Sequence, residues 1–206
     1  MKQVSRLTLI TSGPTRHNLF ARFPKLAASL GPIRATSPRT AARAARLLRG
    51  GWGATSWSDA LNASLIVIQT AGPKLFAEMA SLGSAWRGRV VLACDAEKDL
   101  RHLAALESHG AVIVQLHSLD PRESLVALSG DSEGVGRARR LLAGAGVRSI
   151  TIRDGAGPTL LAAIGRLEKS IASALQHGDE AFLQAGLRRT EARVLGVGAA
   201  IRALRR

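Results

Sequence analysis

Residues 1–58 contain not one aspartate or glutamate. Ten of the 29 basic residues fall in that stretch, and the formal net charge of the chain is +14. The positive field is concentrated over the amino-terminal third, where an anionic ligand is drawn in. Part of the arginine excess accompanies abundant alanine and glycine, a mixture that follows coding composition as readily as function. An acid-poor start with arginine and serine also has the character of an organelle transit peptide. The same segment reads as strand, helix, strand, which argues for a folded amino terminus. Tyrosine is absent, and Trp and Phe together supply only seven aromatics. That is few for stacking bases, and no nucleic-acid motif occurs, so nucleic acid is not an expected partner. The single cysteine, Cys94, excludes an internal disulfide, and a reducing, cytoplasmic location is the default. No run of 18 apolar residues is present, and the start lacks a secretory pattern, so neither a membrane span nor a signal peptide is expected. No metal-ligand spacing, G-x-S-x-G or Walker sequence occurs, and no metal is expected.

What is present is alternation. Leu7–Ile10 reads as a strand, 15–30 as a helix with Leu19, Phe23, Leu26 and Leu30 at helical spacing, and 33–36 as a second strand. Ser37-Pro38 opens a helix to about Leu48, with Ser37 as cap. Ala54–Ser56 is a short third strand. Leu65–Ile68 and Arg89–Ala93 are continuous apolar runs, as in strands buried on both faces. Helices are expected from Pro73 through Met79, near 97–108 and near 133–143, and further strands at 111–116 and 149–152. From Pro158 the pattern is helical, with a break at Gly178-Asp179 and Asp179 as a cap. Strands alternating with helices imply βαβ units and a mostly parallel sheet. The expected fold is therefore α/β: a sheet domain over 1–157 and a short C-terminal helical segment over 158–206. The apolar stripe from Leu160 to Leu204 suits packing on the sheet or on a second copy, and a homodimer is expected through it.

Two turns carry candidate chemistry. The first reads Thr11-Ser12-Gly13-Pro14-Thr15-Arg16. A dinucleotide fingerprint is G-x-G-x-x-G, because the tight turn and the approach of pyrophosphate need missing side chains. Only Gly13 is kept, where backbone comes nearest to phosphate; Thr11 and Arg16 stand at the other two positions. A helix amino terminus still offers N–H groups to phosphate, and Ser12, Thr15 and Arg16 add hydroxyls and a guanidinium. Arg16 either swings toward phosphate or blocks the site, and two lost glycines favour blockage. The bland reading is a Gly-Pro turn before a helix. The second turn reads Arg34-Ala35-Thr36-Ser37-Pro38-Arg39. It lacks the acidic residue that would bind both ribose hydroxyls. Thr36, Ser37 and Arg39 instead suit a ribose 2′-phosphate, which points to NADP; the bland reading is a capped helix with a solvated arginine. Cys94 reads as a small buried residue, and His102 and His109, seven apart, as surface residues.

Over residues 5–175 the chain resembles the NADP-binding Rossmann proteins of the domain of unknown function 2520 type, relatives of pyrroline-5-carboxylate reductase. The resemblance lies in Thr36-Ser37-Pro38-Arg39, in Asp59-Ala60 with Ser64–Thr70, in Gly88–Leu92, in Gly110-Ala111 and in Gln115-Leu116-His117-Ser118-Leu119. That family has Leu-His-Pro-Leu at the last point, before a strand ending in Gly-Asp like Gly130-Asp131. Its histidine faces the nicotinamide region, so the resemblance implies His117 as the substrate-side, catalytic candidate. Ser118 stands where the family has proline, and the glycine loop is degenerate. Leu9–Arg16 is also similar to the opening of phosphopantothenoylcysteine synthetases, but the Ser-Ser-Gly-Lys expected next is missing. The resemblance implies an NADP(H)-binding oxidoreductase homologue acting on a small molecule that the sequence does not identify. The alternatives are a degenerate, non-catalytic binding module and a basic nucleic-acid-associated protein.

Overall fold

The computed structural model describes residues 7–13, 19–69, 71–94, 100–120 and 124–204. In chain order the elements are β1 (Leu7–Ile10), α1 (Leu19–Arg22), α2 (Pro24–Ala27), β2 (Leu30–Arg34), α3 (Pro38–Leu48), β3 (Trp52–Gly53) and α4 (Trp57–Leu61). There follow β4 (Leu65–Gln69), α5 (Pro73–Ser81), a 3-10 turn (Gly83–Trp86), β5 (Val90–Cys94), α6 (Leu100–Ser108), β6 (Val112–Asp120) and β7 (Leu125–Gly130). The last elements are α7 (Ser132–Gly144), β8 (Arg148–Thr151), α8 (Gly157–Gln184) and α9 (Arg189–Leu204). The chain divides into two compact units, 1–157 and 158–206.

The first unit is an eight-stranded sheet in the order β3-β2-β1-β4-β5-β6-β7-β8. Its first six strands follow the Rossmann order 3-2-1-4-5-6, all parallel. β7 turns back antiparallel to β6, and β8 runs parallel to β7. The short link between β6 and β7 leaves no room for a crossover, so only an antiparallel pairing is open to them. The central strands are apolar throughout because both faces are covered: β1, β4 and β5 are buried at every residue. One face packs Leu7, Leu9, Val67 and Leu92 against α2, α3 and α7. The other packs Ile10, Ile66, Ile68 and Val91 against α4, α5 and α6, with Trp86 fully buried and its Nε1–H donating to Met79 O at 2.7 Å. Gly134 lets α7 onto the sheet, since a Cβ there would lie 2.7 Å from Val112 Cγ1 and 2.8 Å from Val114 Cγ2.

Boundaries move at the punctuating residues. The helix expected over 15–30 is two single turns within its described part. Pro24 has no N–H to donate and disfavours a helical Phe23, so α1 stops at Arg22 and α2 restarts at Pro24. β2 begins at Leu30, not Ile33, and takes Gly31-Pro32 into the strand. The β1–β2 register shifts there, the bulge a strand proline requires. β3 is Trp52–Gly53, just before the Ala54–Ser56 expected. Leu125–Gly130 is a full strand. Residues 95–99, part of the helix expected near 97–108, lie outside the described residues.

In the second unit α8 runs unbroken through Gly178-Asp179; the turn comes at Gly186, with φ of 88°. Asp179 is not a cap: it accepts from Arg193 Nη1 at 3.2 Å, tying α9 to α8. Glycine and aspartate are poor helix formers but not forbidden, and the rest of the 28-residue helix overrides them. Between the two helices lies an apolar groove of about 410 Å³ lined by Ile171, Leu175, Phe182, Gly196 and Ala200. Among the described residues no helix is long and apolar enough to cross a membrane.

Candidate functional site at the carboxyl ends of the strands

β1 and β4 are neighbours, yet the connections that follow them pack on opposite faces of the sheet. Sheets of this kind hold ligands in the crevice that such a switch opens at the carboxyl ends of the strands. The residues singled out in the sequence fall along this edge. Ser12 and Gly13 leave β1. Thr36, Ser37 and Arg39 leave β2, its neighbour, and the two turns are joined where Thr11 N–H donates to Arg34 O at 3.0 Å. His117 extends β6, three strands from β1 or about 14 Å at ordinary strand spacing. Thr15 and Arg16 lie outside the described residues.

The β2 turn caps its own helix. Ser37 Oγ accepts from Thr40 N–H at 3.1 Å and fixes the first turn of α3, with Pro38 leading the helix. Thr36 and Arg39 stand exposed at that amino terminus and Ser37 is half-buried. Behind them, Arg34 closes β2: its Nη2 reaches Glu78 of α5 at 3.2 Å, and its guanidinium lies 5.0 Å from the Trp57 ring centroid. Sequence reasoning did not single out Arg34, because its partners are 44 and 23 residues away.

The β1 turn satisfies itself. Thr11 Oγ1 donates to Gly13 O at 2.8 Å and takes Gly13 N–H at 3.3 Å, so threonine does by hydrogen bonding part of what a first glycine does by absence. A Cβ added at Gly13 would meet nothing within 4 Å. Past the turn, Leu19 N–H donates to the buried Oε1 of Gln69 at 2.8 Å. Gln69 ends β4 and is 3% exposed, so its amide is buried at the carboxyl end of the strand, where it holds the Leu19 N–H of α1. A polar residue closing an otherwise apolar strand was the available signal for it, since buried amides need partners. Arg22 Nη1 donates to Ser118 Oγ at 2.9 Å, joining α1 to β6. A proline at 118 could not make this bond.

His117 is buried, and its ring is covered by Gly157, where any side chain would collide with Cε1 and Nε2. Cys94, at the end of β5, is buried within the core. His102 is exposed, with its ring stacked on Phe76 at 4.6 Å between centroids. Among the described residues no three of His, Cys, Asp and Glu are grouped to hold a metal ion.

No protein-family model matches the chain, and no curated protein sequence is significantly similar to it. Solved structures share its fold. A pyrroline-5-carboxylate reductase from Coxiella burnetii superposes with a TM-score of 0.65 at 15% identity, over 98% of this chain and 79% of that one. An imine reductase from Bacillus cereus gives 0.62 at 18% identity, over 96% and 72% of the two chains. A reductive aminase from Aspergillus terreus, solved with NADPH and ethyl levulinate, gives 0.63 at 16% identity, over 98% and 74%. Likeness at these identities is one of fold: a Rossmann-type sheet with carboxyl-terminal helices.

Proposed function

We propose that the chain is an NADP(H)-binding oxidoreductase homologue of the reductase group whose fold it shares. The observation that carries this reading is the β2 turn. It holds no carboxylate, and it sets Thr36, Ser37 and Arg39 at the amino terminus of an eleven-residue helix beside the crevice. Hydroxyls and a guanidinium gathered at a helix start suit a ribose phosphate. NADPH, when bound, supplies a hydride. The chain itself would bind the phosphate at Thr36, Ser37 and Arg39, and the loop carrying Ser12, Gly13, Thr15 and Arg16 would meet the remaining phosphates. His117 is assigned the substrate end by its place beyond the carboxyl end of β5, on the β6 side of the edge. The reading takes the assembly to be a homodimer through α8 and α9.

A second reading, a degenerate binder without catalysis, is favoured by one group of contacts. The described part of α1 is a single turn, its Leu19 N–H is taken by Gln69, and Gly13 N–H, where backbone comes nearest to phosphate in the fingerprint, is taken by Thr11. Calorimetric titration with NADPH, NADH and ATP separates the two. Tighter binding of NADPH than NADH supports the reductase reading; no binding of either supports the second, and equal affinity for both sinks the assignment of the β2 turn.

A further inference from the structure

α3 carries more positive charge than a cofactor can use. Its core-facing side is Ala41, Ala44 and Leu48, each buried. At 3.6 residues per turn, Arg39, Arg43 and Arg46 fall within about 60° of arc on the opposite side. All three are exposed, as is Arg49 at the helix end. Among the described residues none of the four makes an ion pair. No acidic residue occurs before Asp59, so none of the preceding elements neutralises the row. The row from Arg39 to Arg46 is about 10.5 Å long at 1.5 Å per residue. A 2′-phosphate at the start of α3 would engage Arg39 and leave the rest of the row without a role.

We infer that the outer face of α3 binds the phosphate backbone of double-stranded nucleic acid, through Arg43, Arg46 and Arg49. Arg43 to Arg49 spans about 9 Å at 1.5 Å per residue, and each strand of a duplex carries a charge every 3.4 Å of axis, so these three side chains meet about three phosphates. The want of aromatic residues argues against base stacking, not against backbone contact, which needs only cations on a rigid support. An amphipathic helix that enters a membrane does so with its apolar face. In α3 that face is buried in the core, and α3 has none to insert.

The test is fluorescence anisotropy of the full chain with a labelled 20-base-pair duplex from 50 to 200 mM salt. Wild type should bind, with log K falling against log salt at a slope near −2.7, about 0.9 per phosphate for three contacts. Arg43→Ala/Arg46→Ala/Arg49→Ala should weaken binding at least about tenfold at 50 mM salt and flatten the slope, while the triple lysine variant keeps both. The single variants Arg43→Ala and Arg46→Ala, each on the solvent side, should each take about 0.9 from the slope even if the triple variant is unstable. NADPH affinity should not change, since Arg39 is kept. Arg137→Ala/Arg139→Ala/Arg140→Ala on α7 should bind like wild type. Failure of wild type to bind, an equal loss in the α7 variant, or preference for phosphatidylserine vesicles or polyglutamate over the duplex would each overturn the inference.

Discussion

Gly157 closes over the imidazole of His117: a Cβ at that position would lie 2.6 Å from Nδ1 and nearer still to Cε1 and Nε2. Position 157 therefore accepts no side chain while His117 keeps its place. Gly157→Ala should destabilise the protein by about 1–3 kcal/mol, the usual scale of overpacking. At about 2–4 °C per kcal/mol for a chain of this size, thermal melting followed by circular dichroism detects it. Adding His117→Ala removes the obstructing ring, so the double variant should lose less than the sum of the two single changes. An unshifted melting temperature in Gly157→Ala would show that the ring swings aside freely.

Gln69→Leu leaves the Leu19 N–H without its acceptor at the carboxyl end of β4. The expected loss is about 1–3 kcal/mol, the desolvation penalty of an orphaned buried donor. Gln69→Glu keeps an oxygen in reach of that N–H but buries a carboxyl group, so it should be destabilised by desolvation rather than by a lost bond. Urea unfolding of the three proteins compares them directly, and equal midpoints for wild type and Gln69→Leu would remove the bond from the account.

Arg39→Ala should narrow the preference for NADPH over NADH by about 1–3 kcal/mol, the range of a charge-assisted hydrogen bond. Calorimetry with both nucleotides measures the difference. A preference that survives intact would move the 2′-phosphate contact away from Arg39.

Arg16 stands at the third fingerprint position, where helix and strand ordinarily pack closely. Arg16→Gly is expected to strengthen dinucleotide binding by clearing that approach. NADPH titrated into both proteins decides the matter, and tighter binding by wild type would mean that the guanidinium serves the phosphates instead.

α8 and α9 leave Leu167 at 57%, Val194 at 72%, Leu195 at 46% and Ile201 at 47% exposure. This much apolar surface favours association. Light scattering should report a dimer, and Val194→Glu/Leu195→Glu should return it to monomer. Deleting 179–206 should expose the α8 side of the groove and promote aggregation. A wild-type monomer at high concentration would exclude the dimer.

The α/β class was legible because the buried parallel strands write themselves as apolar runs: Leu65–Ile68 and Arg89–Ala93 were readable almost to the residue. Ser37-Pro38 likewise announced α3, since cap and first-turn proline act locally. Gly31-Pro32 misled for a physical reason. The pair ends most helices, but a bulge lets it sit inside β2, and only the neighbouring strand reveals the bulge. Gly178-Asp179 misled in the opposite direction: its helix-breaking tendency is worth about 1 kcal/mol, which long flanking helices outweigh. The edge residues Ser12, Gly13, Thr36, Ser37 and Arg39 could be found because turns carry their own signatures. Arg34 with Trp57 and Glu78, Gln69 with Leu19, and Arg22 with Ser118 could not, because each pairing joins segments that only the sheet brings together.

The reversal of β7 also bears on the order in which the chain organises itself. Every other neighbouring pair in the sheet is parallel and must close a long crossover loop before its first contact forms. β6 and β7 meet across a link of a few residues, so their ladder closes the smallest loop among the described strand pairs, and local contacts of this kind form soonest. His117 pairs with Ala127 in that ladder, so its place in the sheet rests on the most local strand pairing, whereas β1 meets β4 only across a long crossover.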